Sequence, residues 1–332
     1  MDSDSQPIVS VGVPVFNGAR GLARCLDGLL QQDYSNLEIV ISDNGSTDDT
    51  PAICEEYVSR DRRVRYVRSH ENRGWIWNFN RVCELSSGKY FMFAAHDDER
   101  ESTFVSECVR RLEERPDAVL CAAHTSVSIE SRDEVLYVTR FDTVVDRAAV
   151  VKRYHETLRH LPITAIYGVY RTSAMRATGM FRRVMGTDTA FIRELMIYGS
   201  LVQVPEALFK YRARKTWNTI HQDARAYLAM DRKPWWYIPF CALFADQFTR
   251  LIRAPVMLGL KLQLMGVLVL HEASEAAGKV VVKLTGVLCP DGKKEQVGRI
   301  LSRQLMHNPN IQIVEPDLYF ERVTKPQLGW WR

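Results

Sequence analysis

The feature that most constrains the fold is an alternation of short apolar runs with amphipathic segments over the first hundred residues. The apolar runs are of strand length and occupy residues 8–15, 37–42 and 90–95, and a more polar segment of strand length occupies residues 64–68. Between the first two, Leu22, Leu26 and Leu29 recur at helical spacing. Such alternation predicts parallel strands joined by crossover helices. The predicted fold class is therefore α/β, with a Rossmann-like, mostly parallel sheet flanked by helices.

Polar residues follow the predicted strands at the points where the strands end. In open α/β sheets, ligands bind beyond the carboxyl ends of the strands, so these residues are expected to lie along one edge. The members of this group are Asn17, Asp43, Ser46, Asn72, Arg73, Asp97 and Asp98. Their shared position predicts a ligand site at that edge.

The last of these runs, at 90–95, ends in His96, Asp97 and Asp98. Two adjacent carboxylates repel each other, and a hard divalent cation is a natural partner. Mg²⁺ takes one or two protein carboxylates and fills its other positions with water and substrate phosphate. An alternative interpretation is a turn whose acidic residues favour the start of the next helix, near Ser102. Both interpretations stay open at this point.

Composition excludes some classes of protein. The net charge is +4 over 332 residues, with no Lys/Arg run, which argues against a nucleic-acid partner. The seven cysteines are scattered without C-x-x-C spacing, which favours reduced thiols in the cytoplasm. The polar start predicts no signal peptide, and the apolar stretch at 262–270 is far shorter than the ~20 residues that span a bilayer. We expect a cytoplasmic protein.

Four motifs, in this order, resemble those of the family 2 glycosyltransferases, which have the GT-A fold. Residues 14–17 resemble the first-strand motif, and residues 43–48 resemble a D-[DN]-G-S-x-D loop whose first Asp reads the nucleotide base. Residues 72–74, with Asn78, are similar to an N-x-G segment, and residues 96–98 occupy the place of a D-x-D motif. The resemblance is close over about 7–125 and looser to about 215. It assigns to the nucleotide sugar Pro14, Val15, Phe16, Asn17, Asp43, Asn44, Ser46, Asn72, Arg73, Gly74, Asn78, His96 and Asp97.

The resemblance implies an inverting, hexosyltransferase-type enzyme that uses a UDP-, GDP- or dTDP-sugar. Its acceptor would be a hydroxyl group of a saccharide, a glycolipid or another cell-surface glycan precursor, as in polysaccharide biosynthesis. It also implies a divalent cation, Mn²⁺ or Mg²⁺, bound by Asp97 and Asp98. The family often has Asp where Ala95 stands here. This leaves open which aspartate is the main metal ligand, and whether His96 replaces the missing contact to the sugar.

Asp188 is the predicted general base. It stands at the start of an amphipathic helix that carries Phe191 and Leu195 on one face. An aspartate there can be a helix cap, but the segment also resembles the family's [ED]-D segment, whose Asp lies beside the acceptor hydroxyl. Transfer to an alcohol needs a group that removes its proton, and a carboxylate within hydrogen-bond reach can do so. Glu194 is the reserve candidate.

We expect a GT-A catalytic domain at 1–215 and a mainly helical C-terminal region at 216–332. The catalytic domain divides into a nucleotide-sugar-binding half at about 7–125 and an acceptor-side half at about 126–215, in which 163–171 is expected to be extended. An aromatic cluster at 234–239 and an apolar segment at 255–275 have two interpretations. One is peripheral contact with the inner face of a membrane and a lipid-linked acceptor. The other is a helical hairpin packed on the catalytic domain or in a homodimer.

Two rival functions stay open. A catalytically inactive GT-A homologue would act as a binding or assembly subunit, and Ala95 gives that hypothesis some support. A sugar nucleotidyltransferase shares the sheet architecture, but its first strand leads into a Gly-rich loop that residues 13–18 lack.

Overall fold

A computed structural model describes residues 6–129, 132–140, 149–161, 163–213, 237–288 and 311–313. Its strands are β1 Val9–Val15, β2 Leu37–Asp43, β3 Val64–Arg68, β4 Tyr90–Phe93, β5 Glu99–Arg100, β6 Ala118–Ile129, β7 Arg132–Thr139, β8 Val169–Arg171, β9 Ser200–Ala213 and β10 Ile311–Ile313. Its helices are α1 Ala19–Leu30, α2 Thr50–Arg60, α3 Trp75–Leu85, α4 Phe104–Glu114, α5 Val150–His160, α6 Thr172–Ala177, α7 Thr187–Tyr198, α8 Pro239–Arg253 and α9 Leu258–Leu288.

The described strands form one mixed sheet in the order β10-β7-β6-β8-β4-β1-β2-β3, with β9 paired to β6 and β5 to β9. Strands β4, β1, β2 and β3 are parallel, as the βαβ alternation predicts. Strand β8 runs antiparallel between β4 and β6 and joins the two halves of the sheet. The predicted α/β architecture, with helices on both faces and a helical C-terminal region, is confirmed.

Strand β4 shows why its sequence is apolar at every position. Tyr90 and Met92 are buried against the core beneath α1 and α4, whereas Phe91 and Phe93 are buried in the core beneath α3 and α7. Successive side chains of a strand point to opposite faces, so a strand covered on both faces needs apolar residues throughout. The carboxyl end of β4 is thereby fixed between two layers of helices.

A third core joins α5 and α7 to the C-terminal helices α8 and α9. Leu158 of α5, Ile197 of α7, Leu251 of α8 and Leu268 of α9 are all at most 5% exposed and pack in this cluster. Burying a leucine contributes about 1.5–3 kcal/mol, so the shared core is a substantial attachment. Helices α8 and α9 therefore pack on α5 and α7.

One predicted element is wrong. The segment 163–171 was expected to be extended, but Ile163–Tyr167 forms a 3₁₀ helix and only Val169–Arg171 forms a strand. A short buried apolar run does not distinguish helix from strand by its period, which explains the error. The predicted domain boundary at 215 and the tryptophans at 235 and 236 lie outside the described residues.

In the described part of the chain, no helix combines the length and the apolar character needed to cross a membrane. Helix α9 and the turn before it nevertheless expose large apolar side chains to solvent. These are Met257, Leu258, Leu262, Val269 and Leu270, which are 46–83% exposed.

Candidate functional site

The loop after β1 is locked to the loop after β2 by side chain–backbone hydrogen bonds. The backbone N–H of Asn17 donates to Ser46 Oγ at 2.9 Å, and the N–H of Thr47 donates to Asn17 Oδ1 at 2.8 Å. Asn17 has φ of 51°, a left-handed conformation that asparagine tolerates better than most residues. Beside it, Phe16 is 41% exposed and offers an aromatic face to solvent.

Asp43, at the end of β2, is fully buried and both of its oxygens have partners. Oδ1 accepts the N–H of Ser46 at 2.8 Å, and Oδ2 accepts the hydroxyl of Tyr66 at 2.9 Å. The guanidinium of Arg68 lies 3.3 Å from Oδ2 and is half exposed. Asp43 therefore contacts no solvent itself, and it helps to fix the half-exposed guanidinium of Arg68 at the site surface.

Asn44 joins the same loop to the segment before α3. Its amide nitrogen donates to Asn72 Oδ1 at 2.9 Å and to the carbonyl of Gly74 at 3.1 Å, and its oxygen accepts the N–H of Arg73 at 3.0 Å. Between them Gly45 has φ of +78°, and a Cβ there would lie 2.8 Å from the backbone of Glu71. Only glycine fits this close approach without strain.

Asn78 lies beneath the site. Its side chain is 3% exposed, donates to the carbonyls of Ser42 and Val15, and accepts the hydroxyl of Ser42 at 2.6 Å. The predicted nucleotide-sugar residues thus separate into two groups by exposure. Exposed or half-buried are Phe16, Asn17, Asn72, Arg73, Gly74, His96 and Asp97, and buried are Pro14, Val15, Asp43, Asn44, Ser46 and Asn78.

The loop after β4 carries the adjacent aspartates at the same edge. It packs on the start of α1 so closely that a Cβ on Gly21 would lie 2.7 Å from the carbonyl oxygen of His96. Arg100 stacks over the ring of Phe209 at 4.7 Å and donates to the carbonyl of Phe93 at 2.8 Å. The loop is therefore held from below by one cation and from the side by a helix.

Asp97 and Asp98 have different surroundings. Asp97 is exposed, whereas Asp98 is 3% exposed and borders a cavity of about 470 Å³ beside α1. Burial raises the pKa of the Asp98 carboxyl to about 8; Arg100 lowers it and Asp97 raises it further. Asp98 Oδ2 is buried and has no hydrogen-bond partner among the described residues.

This donor set fits a divalent cation of the Mg²⁺ or Mn²⁺ type. A buried carboxylate oxygen without a partner is costly, and a nearby cation compensates it. Among the residues described, no cluster of three or more His, Cys, Asp or Glu side chains has the arrangement of a closed metal site. A cation of this type is commonly bound by one or two protein carboxylates, and water and substrate phosphate supply its remaining ligands.

Asp188 lies in the first turn of α7, half-buried at the helix N-terminus. The N-cap position belongs to Gly186, with φ of +81°, so the interpretation of Asp188 as an N-cap is wrong. Its Oδ1 accepts the N–H of Thr189 at 2.9 Å. Burial raises the pKa of Asp188, and the Thr189 hydrogen bond and the charge of Arg193 act in the opposite direction.

An aromatic cluster ties the start of α7 to the end of β4. The ring of Phe181, just before α7, lies 5.5 Å from Phe93 of β4 and 4.9 Å from Phe191 of α7, measured between centroids. The side-chain amide of Asn80 both donates to the carbonyl and accepts the N–H of Phe181. The helix that carries Asp188 and the strand that precedes Asp97 therefore belong to one packed body.

Glu194, the reserve candidate, is already engaged. It is 5% exposed, and its Oε2 accepts from Arg250 at 2.5 Å and from the N–H of Gly179 at 2.9 Å. Sequence reasoning missed Arg250 as a site-proximal residue. A signal was present, since Asp246 and Arg250 stand four apart on one helix and can pair, but such pairs are usually solvated.

A family model described as glycosyl transferase family 2 matches residues 10–181. Among curated proteins, the glycosyltransferase GlyG of Streptococcus pneumoniae serotype 4 is 27% identical over 143 residues, which are 43% of this chain and 48% of GlyG. The chondroitin synthase of Escherichia coli is 34% identical over 120 residues, which are 36% of this chain and 17% of the synthase. The chain thus spans about half or less of these two relatives.

Solved structures share the fold at low sequence identity. S. aureus TarS 1–349 in complex with UDP-GlcNAc has a TM-score of 0.59 at 14% identity, covering 90% of this chain and 81% of TarS 1–349. The mannosyltransferase PcManGT of Pyrobaculum calidifontis, in complex with GDP-Man and Mn²⁺, has a TM-score of 0.55 at 16% identity, covering 99% and 87%. The GT-A fold expected from the sequence is confirmed.

Proposed function

The chain belongs to glycosyl transferase family 2, and from this premise we propose that it moves a sugar from a nucleoside diphosphate to a hydroxyl acceptor with inversion. One observation carries the proposal. The polar loops after β1, β2 and β4 are bonded to one another or packed on α1 at one sheet edge, and one aromatic cluster joins β4 to the helix that bears Asp188. A donor and an acceptor need such adjacent sites.

The exposed group of strand-end residues would bind the donor. Phe16 offers a ring face for a base to stack on, and Asp43 acts on the base from below while it fixes Arg68. The family role of Asp43, reading the base, remains a prediction. UDP-, GDP- and dTDP-sugars are all candidates; TarS was solved with UDP-GlcNAc and PcManGT with GDP-Man.

Asp97, the exposed carboxylate, would be the principal ligand of Mn²⁺ or Mg²⁺, with Asp98 behind it. When bound, such a cation offsets the negative charge that grows on the departing diphosphate. His96 would lie beside the donor sugar and would replace the contact of the Asp that the family often has where Ala95 stands. The backbone of His96, packed on Gly21, fixes the position of both neighbours.

Asp188 would accept the proton of the attacking hydroxyl. A carboxyl whose pKa is raised by burial is a stronger base than an ordinary aspartate. Attack from the face opposite the diphosphate in one displacement gives inversion. The acceptor would be a saccharide, a glycolipid or another glycan precursor.

The exposed apolar side chains of α9 leave two further proposals for partners. Leu258 and Leu262 stand one turn apart and would suit peripheral contact with a membrane that carries a lipid-linked acceptor, or a homodimer. Flotation with anionic liposomes, compared with light scattering of the free protein, separates these two arrangements.

The test of function is release of nucleoside diphosphate from a panel that includes UDP-GlcNAc and GDP-Man, with and without Mn²⁺. We expect release from one donor class, lost when Mn²⁺ is removed by a chelator. Asp97→Asn should weaken donor binding, whereas Asp188→Asn should leave donor binding intact. The same panel decides against the inactive homologue, which Ala95 favours, if any donor is turned over.

A further inference from the structure

Arg250 of α8 is the centre of a buried ion network. It is 1% exposed, and Nε donates to Asp246 Oδ2 at 2.7 Å. Nη1 donates to Glu194 Oε2 of α7 at 2.5 Å, and Nη2 donates to the carbonyl oxygen of Met180 at 2.8 Å. One side chain of the C-terminal helices therefore contacts α7 and the loop that precedes it.

The 179–186 loop is held at both ends by groups attached to this network or to the start of α8. The N–H of Gly179 donates to Glu194 Oε2 at 2.9 Å. The N–H of Met185 donates to the hydroxyl of Tyr237 at 3.0 Å. The loop therefore has little freedom to move independently of the C-terminal helices.

The middle of the loop links the network to the first turn of α7. The guanidinium of Arg182 donates to Asp246 Oδ1 at 3.0 Å, and the backbone N–H of Arg182 donates to Thr187 Oγ1 at 2.7 Å. Thr187 is fully buried and immediately precedes Asp188. A displacement of the loop must therefore displace the residue beside Asp188.

Stability alone is a weak reason for this arrangement. Two cations, Arg250 and Arg182, face two anions, Asp246 and Glu194, and an apolar replacement of such a buried set is often equally stable. The Met180 carbonyl that Arg250 bonds belongs to a non-glycine residue with φ of +49°, which is strained. Strain of this kind clusters at functional sites, where geometry is worth more than stability.

We propose, on the basis of the function proposed above, that Arg250 is a positioning residue that holds the 179–186 loop and thereby aims Asp188 at the acceptor. The C-terminal helices then form part of the catalytic unit. A displacement of about 1 Å at a reacting group can cost on the order of 100-fold in rate. Loss of Arg250 should therefore lower kcat and leave the KM for the donor nearly unchanged.

The first test is hydrogen–deuterium exchange on the full chain without ligand. Arg250→Ala should speed exchange in peptides covering 179–190 and leave the loops at 14–18 and 43–48 unchanged. Arg253→Ala is the matched control, since Arg253 lies on the same helix and is exposed. Equal protection of 179–190 in both variants would overturn the proposal.

The second test measures kcat and KM with UDP-GlcNAc or GDP-Man, whichever the wild type turns over. Arg250→Ala should lose about 10- to 100-fold in kcat, Arg250→Lys should lose less, and guanidinium at low millimolar concentration should restore part of the activity of Arg250→Ala. A merely structural role would leave kcat per folded molecule unchanged, with no rescue. That result would overturn the proposal.

Two further outcomes keep the conclusions separate. If Arg250→Ala does not fold, Arg182→Ala is measured in its place. Arg182 is more exposed, and its loss leaves Asp246 paired with Arg250. An unchanged kcat in Arg182→Ala would overturn the proposal. If the wild type turns over no donor, or if Asp188→Asn is fully active, the proposed function or its base fails. Hydrogen exchange would then still decide whether Arg250 holds the loop.

Discussion

The proposed donor side of the site, formed by the loops after β1 and β2, and the proposed acceptor side, formed by α7 and the loop before it, are held by different kinds of contact. On the donor side, short neutral side chains such as those of Asn17, Asn44 and Ser46 form hydrogen bonds with backbone groups of neighbouring loops. On the acceptor side, Arg250 bonds Glu194, which is 56 positions away, inside a buried network. The residues of the first arrangement are 29 or 30 positions apart but stand in short motifs at the ends of strands, whereas those of the second stand in no such motif and meet in a core. Local motifs should therefore control donor binding, and distant ion pairs should control turnover.

The largest expected effect is on the acceptor side. Asp188→Asn removes the group that we propose accepts the hydroxyl proton, and general-base catalysis contributes about 10²–10⁴-fold. We expect kcat to fall by that factor while titration with UDP-GlcNAc or GDP-Man and Mn²⁺ gives an unchanged affinity. Asp97→Asn is the matched donor-side variant, in which affinity should fall first. An Asp188→Asn enzyme with normal turnover would contradict the conclusion that the two sides control different steps, donor binding on one side and turnover on the other.

The next effect tests whether α9 belongs to the catalytic unit. Leu268 is fully buried in the core shared with α5, α7 and α8, so Leu268→Ala should lower the free energy of unfolding by about 2–5 kcal/mol. Leu270 is 72% exposed, and Leu270→Ala should change it by less than about 0.5 kcal/mol. Urea unfolding followed by tryptophan fluorescence measures both. A separate early transition in Leu268→Ala, with the main transition unmoved, would show that α9 unfolds independently.

The donor half could be predicted from sequence because each strand there is bounded by local signals. The bounds of β3 at 64–68 agree with those expected from the pattern. The edge cluster was likewise predictable, since parallel strands bring their carboxyl ends together. What the pattern did not predict is that Asp43 and Asn78 lie under the surface, because burial depends on what packs above them.

The acceptor half was less predictable for the same physical reason. Glu194 and Arg250 read as ordinary charges on amphipathic helices, and no local signal says that their faces meet. The 3₁₀ helix at Ile163–Tyr167 was missed because a five-residue apolar run has no distinctive period. Asp188 is predicted as the general base only because the segment resembles a family motif, and that role stays a prediction.

A smaller loss of stability is expected when Gly45, which allows the close contact between the donor loops, is replaced by Ala. Gly45→Ala forces a Cβ to within 2.8 Å of the Glu71 backbone at a φ of +78°, and strain of this kind costs about 1–3 kcal/mol. Gly28→Ala is the control, because Gly28 lies in the last turn of α1 with open space around it. In that control the free energy of unfolding should rise by about 0.5–1 kcal/mol, because alanine is favoured over glycine within a helix. Equal melting temperatures for the two variants would show that the close contact between these loops is not maintained.

The smallest expected effect is a gain in the free energy of unfolding when Asp188 is replaced by Asn, whereas Leu268→Ala and Gly45→Ala should lower it. Burial raises the pKa of this carboxyl above the ordinary value of 3.8, while the Thr189 N–H and Arg193 offset part of the rise. Between 3.8 and the raised pKa, the folded protein binds more protons than the unfolded chain, so stability falls as pH rises through that window. Asn cannot ionise and avoids this loss, so Asp188→Asn should be more stable than the wild type at pH 7, with a gap that narrows toward pH 4. Urea unfolding of both proteins across that range measures the gap. A variant less stable than the wild type at pH 7 would mean that the carboxylate is stabilised where it lies and that its pKa is not raised.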